Sequence, residues 1–152
     1  MPARICKEHR RGAAMIEASL TLLLFLTIVC SIFDFAFTTF QRQTILHAAR
    51  TAARFGVTEE WKCETEDCTD PDTVAKIKNM VVYGSPEGGT RGIFGLTPSM
   101  VTVTKPGKRH SAGEELVITV RDFPLIFITP GFAGRKTGRS ITVTLPMEEY
   151  SL

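Results

Sequence analysis

From Ala13 to Phe33 the chain runs apolar with one charged residue inside it, Glu17. As a helix rising about 1.5 Å per residue, this run would cover roughly 30 Å, the thickness of a bilayer's hydrocarbon core. Leu20, Leu22, Leu23, Leu24, Phe25, Leu26, Ile28 and Val29 form its centre. Buried helices of soluble domains are rarely so long and so evenly apolar, so the run reads as a membrane-spanning helix. A removable secretory signal is the alternative, but signal cores are usually about 7 to 15 residues. Charge sets the direction. Arg4, Lys7, Arg10 and Arg11 precede the run, and the first basic residue beyond it is Arg42. The positive-inside rule then places the amino terminus in the cytoplasm and the bulk of the chain outside, in the periplasm or beyond.

The helical pattern continues past the apolar run. Phe33, Phe37, Phe40, Thr44, Ala48, Ala52 and Phe55 recur at spacings of three and four, with Gln41, Arg42, Arg50 and Arg54 left to face away. No proline interrupts from Ala13 to Val57, and Gly56 offers a stop. One helix of roughly 60 Å is expected, first in lipid and then amphipathic. Its second half needs a cover. The stretches MVTVT, ELVITVR and SITVTL alternate with period two and are rich in β-branched residues. They place Val101 and Val103, then Leu116, Ile118 and Val120, then Ile141, Val143 and Leu145 on one face of a small antiparallel sheet. The expected class is therefore α+β, a long N-terminal helix packed on that sheet.

Four regions follow: a cytoplasmic leader at 1–12, a transmembrane helix at 13–35, an amphipathic extension at 36–56, and an extracytoplasmic α+β domain at 57–152. Within the last, Asp70 is placed as a helix cap, Pro71 in the first turn and Gly84 as the stop. Val74, Ile77, Met80 and Val81 give this helix its apolar side. The glycine-rich 84–98 stretch reads as a loop. The connection at 124–132 is apolar at Leu125, Ile126, Phe127 and Ile128, which suits either a core plug or a contact surface.

Of 152 residues 22% are charged, with a net charge of +2, so nothing draws the chain to nucleic acid. Cys63 and Cys68 fall in the part expected outside, where oxidising conditions favour a disulfide between them. A metal site beside Glu64, Glu66 and Asp67 lacks a second ligand pair and a nearby histidine. His9, His47 and His110 are scattered, and no phosphate-binding loop, nucleophile elbow or zinc-protease motif occurs. No enzyme activity, metal or cofactor is expected.

Glu17 then needs an explanation. A carboxylate at the bilayer centre costs about 2.5 to 3.5 kcal/mol, less near an interface. Glutamate is too short to snorkel well. If the chain were cut after Gly12, Ala13 would gain a free α-amino group. That charge could pair with Glu17 of a neighbouring subunit, so assembly would relieve the isolated carboxylate and set the axial register.

Arg10, Arg11, Gly12, Ala13 and Glu17 together resemble the type IV pilin family, whose members share a basic leader, a glycine, an apolar helix and a glutamate at the fifth mature position. The short leader is similar to that of the tight-adherence (Flp, type IVb) branch. The chain length, the opening RRGAAMIEASLTLLLFL and the late strand SITVTLPMEEY are similar to the TadE-like minor pseudopilins of that system. Ala18 stands where Flp-type pilins usually carry an aromatic residue. The resemblance implies removal of residues 1–12 by prepilin peptidase. It implies partners among other minor pseudopilins, the major Flp pilin and the inner-membrane assembly platform, with membrane lipid around the helix, and a role in adherence and biofilm formation. A single-pass membrane protein with an outer binding domain and a type II secretion pseudopilin are the other readings open at this point.

Overall fold

The computed structural model describes residues 5–59, 61, 70–105, 115–127 and 136–147, with side chains from Gly12 onward. The fold is α+β. Helix α1 spans Ile5–Thr58 and α2 spans Pro71–Tyr83. Two single 3-10 turns, Ile93–Gly95 and Pro98–Met100, lead into β1 (Val101–Thr104). The remaining strands are β2 (Glu115–Val120), β3 (Pro124–Leu125), β4 (Lys136–Thr137) and β5 (Ile141–Pro146). The chain divides into two compact units, Met1–Thr38 with Phe127–Gly134, and Thr39–Ile126 with Arg135–Leu152.

In the second unit, β1, β2 and β5 form an antiparallel sheet in the order β1-β2-β5. The register aligns Val101 with Val120 and Val120 with Ile141, then Val103 with Ile118 and Ile118 with Val143. Period-two alternation therefore puts the aliphatic residues on one face. Leu116, Ile118 and Val120 are fully buried. Thr102, Thr104, Thr142 and Thr144 lie on the opposite, exposed face. The three strands sit where the alternation predicts them.

Helix α2 is bounded by its own chemistry. The Asp70 carboxylate accepts from the Asp72 N–H at 3.1 Å and from the Thr73 hydroxyl at 3.0 Å, satisfying an otherwise orphaned first-turn donor. Gly84 closes the helix with φ 76 and donates its N–H to the Met80 carbonyl, a left-handed cap that favours glycine. Its buried side is Thr73, Ile77, Val81 and Val82, so Val82 goes in and Val74 and Met80 remain half-buried.

The α1 stripe differs from the sequence expectation. Gln41, Ile45, Ala49, Ala52 and Ala53 are fully buried, whereas Phe33 and Phe40 are 62% and 59% exposed. The buried stripe is thus turned by about one residue from the aromatic one. Small side chains decide this, because they let the helix backbone approach its neighbours closely. Gly56 is part of that contact rather than a stop: a Cβ there would lie 2.7 Å from both Ile77 Cδ1 and Leu116 Cδ2. The helix runs on to Thr58, and the Trp61 indole N–H then donates to the Gly56 carbonyl at 2.8 Å. Lys76 bonds Glu59 at 2.5 Å, and this contact raises the pKa of its ammonium above the usual lysine value.

The apolar connection after β2 divides its roles. Phe123 is the core plug, 2% exposed, and Gly138 lies against its ring. Pro124 and Leu125 pair with Thr137 and Lys136 as a two-residue ladder. Leu125 packs against the core and Ile126 is left exposed.

Candidate functional site on the N-terminal helix

The first unit is built on the apolar part of α1. Its most apolar stretch has a mean hydropathy of 2.3 over 18 residues, of which 6% are buried. A core helix of a soluble domain would be mostly covered. Here Met15, Leu20, Leu23, Leu24, Phe25 and Ile32 are all exposed. The helix is long and apolar enough to cross a membrane, and it is compatible with a single-pass anchor.

Polar groups along this segment are closed on the helix itself. The Ser19 hydroxyl donates to the Met15 carbonyl and the Thr21 hydroxyl to the Glu17 carbonyl. The Thr27 hydroxyl donates to Leu24 and the Ser31 hydroxyl to Thr27. This back-bonding would leave the hydroxyls satisfied in a bilayer, where no water is available. Glu17 is the exception. Its side chain is exposed, and its carboxylate has no hydrogen-bond or ionic partner among the described residues. It lines a shallow notch with Ala14, Ala18, Thr21, Leu22 and Phe25. The small side chains of Ala14 and Ala18 keep that notch open.

Gly12 lies inside α1, since the helix begins at Ile5. Ala13 follows it in the same helix, so the sequence boundary at residue 13 is not a helix boundary. A Cβ at Gly12 would meet nothing within 4 Å. The side chains of Arg10 and Arg11 lie outside the described residues, as do Cys63 and Cys68. Among the described residues no group of three or more His, Cys, Asp or Glu is placed to hold a metal.

One comparison bears on this helix. Residues 12–54 match the TadE-like protein family. The TadE-like match starts at Gly12, takes in Glu17 and the whole apolar run, and stops four residues short of the end of α1. The match covers 43 of the 152 residues. Helix α2 and the sheet lie beyond the matched residues. No curated protein and no solved structure matches the chain.

Sequence reasoning missed Gln41. The signal was present in the spacing of Gln41, Ile45, Ala49, Ala52 and Gly56, a helical stripe made mostly of small residues. Gln41 Oε1 accepts from the Ile126 N–H at 3.4 Å, while its Nε2 has no partner among the described residues.

Proposed function

We propose that this chain is a minor pseudopilin of the tight-adherence pilus. Prepilin peptidase removes residues 1–12 in the inner membrane, and the mature subunit joins other pseudopilins and the major pilin in starting or assembling the filament. The amino terminus faces the cytoplasm before cutting, and the α+β domain lies outside. The filament serves surface adherence and biofilm formation. The chain has no catalytic role of its own in this reading.

The observation that carries the reading is the unpartnered Glu17 carboxylate on an apolar helix inside the TadE-like match. An isolated carboxylate in that setting is costly, and a neighbour's α-amino group at Ala13 removes the cost. Gly12 adds support. Glycine in a helix interior costs about 1 kcal/mol relative to alanine. Neither a positive φ nor a close contact requires it here, so folding gives no reason for a glycine. Recognition by a peptidase does.

Amino-terminal sequencing of the protein from membranes tests the reading. The expected first residue is Ala13. Protein that retains Met1 or Pro2 in a host with a competent peptidase would overturn it.

A further inference from the structure

The outer half of α1 carries an unbalanced charge. Between Ala36 and Thr58 there are three arginines and one histidine, and no acid. His47, Arg50 and Arg54 are exposed on the side turned away from Ile45, Ala49 and Ala53. None of the three arginines forms an ion pair among the described residues. The next segment has the opposite sign. From Glu59 to Asp72 the sequence holds seven acids and one lysine. Glu59 and Asp70 are engaged within the unit, on Lys76 and at the start of α2.

Beside the basic face lies a groove of about 520 Å³, lined by Phe40, Thr44, His47, Thr51, Met80 and Ile93 among others. Next to this groove the backbone is held under strain. Phe94 adopts φ 52, a left-handed conformation that costs a non-glycine residue about 1–2 kcal/mol, and its ring meets Phe40 edge-on at 6.1 Å. Phe40 stays 59% exposed even so. The groove is therefore largely apolar, with His47 in its wall and Arg50 and Arg54 exposed beside it on α1.

We propose that this groove and the basic face beside it dock the acidic 59–72 segment of a second copy of this chain, displaced along the helix axis. The inference rests on the membrane-anchored subunits of the reading above, because anchoring through the same helix makes neighbouring copies parallel. In parallel copies, equal heights bring arginine against arginine. A shift along the axis that sets the basic face of one copy against the acids following α1 in the next brings opposite charges together. Such a contact is head-to-tail and leaves each copy with one face used and one free, so it propagates instead of closing a two-fold dimer. A lipid surface is the poorer occupant. The acids that follow the arginines would be repelled by anionic headgroups, and that attraction fades within a Debye length.

The test uses full-length protein in membranes, with two differently tagged copies and a photo-crosslinking residue at Thr51. A homotypic adduct mapping to residues 59–72 is expected. Arg50→Glu with Arg54→Glu in the crosslinking copy should lower it about tenfold, a loss of about 1.4 kcal/mol. Glu64→Lys, Glu66→Lys and Asp67→Lys in the other copy should do the same. Combining the two reversed chains should restore the adduct, which also shows that both still fold. Adducts only to lipid or to another protein, a homotypic adduct indifferent to both reversals, or no restoration in the combined pair would each overturn the proposal. Sequencing the same sample separates the two ideas. A retained leader with charge-dependent adducts sinks the pilin reading alone, and a cut leader without them sinks this contact alone.

Discussion

Gly56 of α1 and Leu116 of β2 are in such close approach that a Cβ on the glycine would lie 2.7 Å from the leucine's Cδ2. The helix and the sheet share one core at this point, with Ile77 of α2 closing the third side. Gly56→Val should therefore loosen that core, at a cost of about 1–3 kcal/mol for overpacking. Thermal unfolding of the detergent-solubilised chain measures it. An unchanged midpoint would show that the three elements do not pack as closely as described.

Gln41 gives the opposite expectation. Its amide nitrogen is buried without a partner among the described residues, and its oxygen holds the Ile126 N–H only at 3.4 Å. Gln41→Leu keeps the volume and removes the unsatisfied group, which costs about 1–3 kcal/mol when left unpaired. The variant should unfold at a temperature equal to or above the parent. A clear drop would mean that the amide has a partner the described residues do not include.

Gly12→Leu should separate folding from processing. The helix has open space there and gains about 1 kcal/mol from losing a glycine, so insertion and stability should hold. Cutting should stop, leaving a chain heavier by residues 1–12 on mass analysis. A leucine variant processed at the normal rate would remove Gly12 from the recognition of the leader.

Glu17→Ala should insert normally or better, since a charge leaves an apolar setting. Cleavage after Gly12 should continue. Incorporation into pili should fail, because an unpaired amine buried against a partner helix costs several kcal/mol. Glu17→Asp should be intermediate, the shorter side chain reaching less well. Crosslinking to other pilins and counts of pili are the measurements, with protein level as control. Normal assembly of the alanine variant would make Glu17 a passive residue.

Cys63 and Cys68 should be oxidised to each other in exported protein, closing the acidic loop after Trp61. Mass analysis without reduction decides this. Two free thiols would count against both the bridge and an extracytoplasmic location.

The strands were legible because Val, Ile and Thr alternate without a break in three places, and α2 because Asp70, Pro71 and Gly84 mark its ends. The phase of the buried stripe on α1 was not. Aromatic residues at helical spacing look like core, yet Phe33 and Phe40 remain exposed and Ala49, Ala52 and Ala53 carry the packing. Close approach selected small residues over bulky ones, and hydrophobic weight alone cannot show that. The β3–β4 ladder was also hidden, since two residues a side carry no period. Of the candidate site, Glu17 stood out as the lone charge in an apolar run. The groove did not, because it needs the 93–94 turn laid beside α1, a tertiary event with no local signature.

Helix α1 passes through Gly12 without a break, and this changes what cleavage there does. Before the cut, the backbone N–H groups of Ala14, Met15 and Ile16 are held by carbonyls of the preceding turn. Removing residues 1–12 strips those acceptors away and leaves three bare donors beside a new ammonium, all at the positive end of a helix dipole. Cleavage by a peptidase would thus turn a chemically quiet stretch of helix into an electron-poor tip, one that in an apolar medium could not satisfy itself. Maturation in this chain would act as a loading step, storing in each subunit the drive that a neighbour's carboxylate later releases.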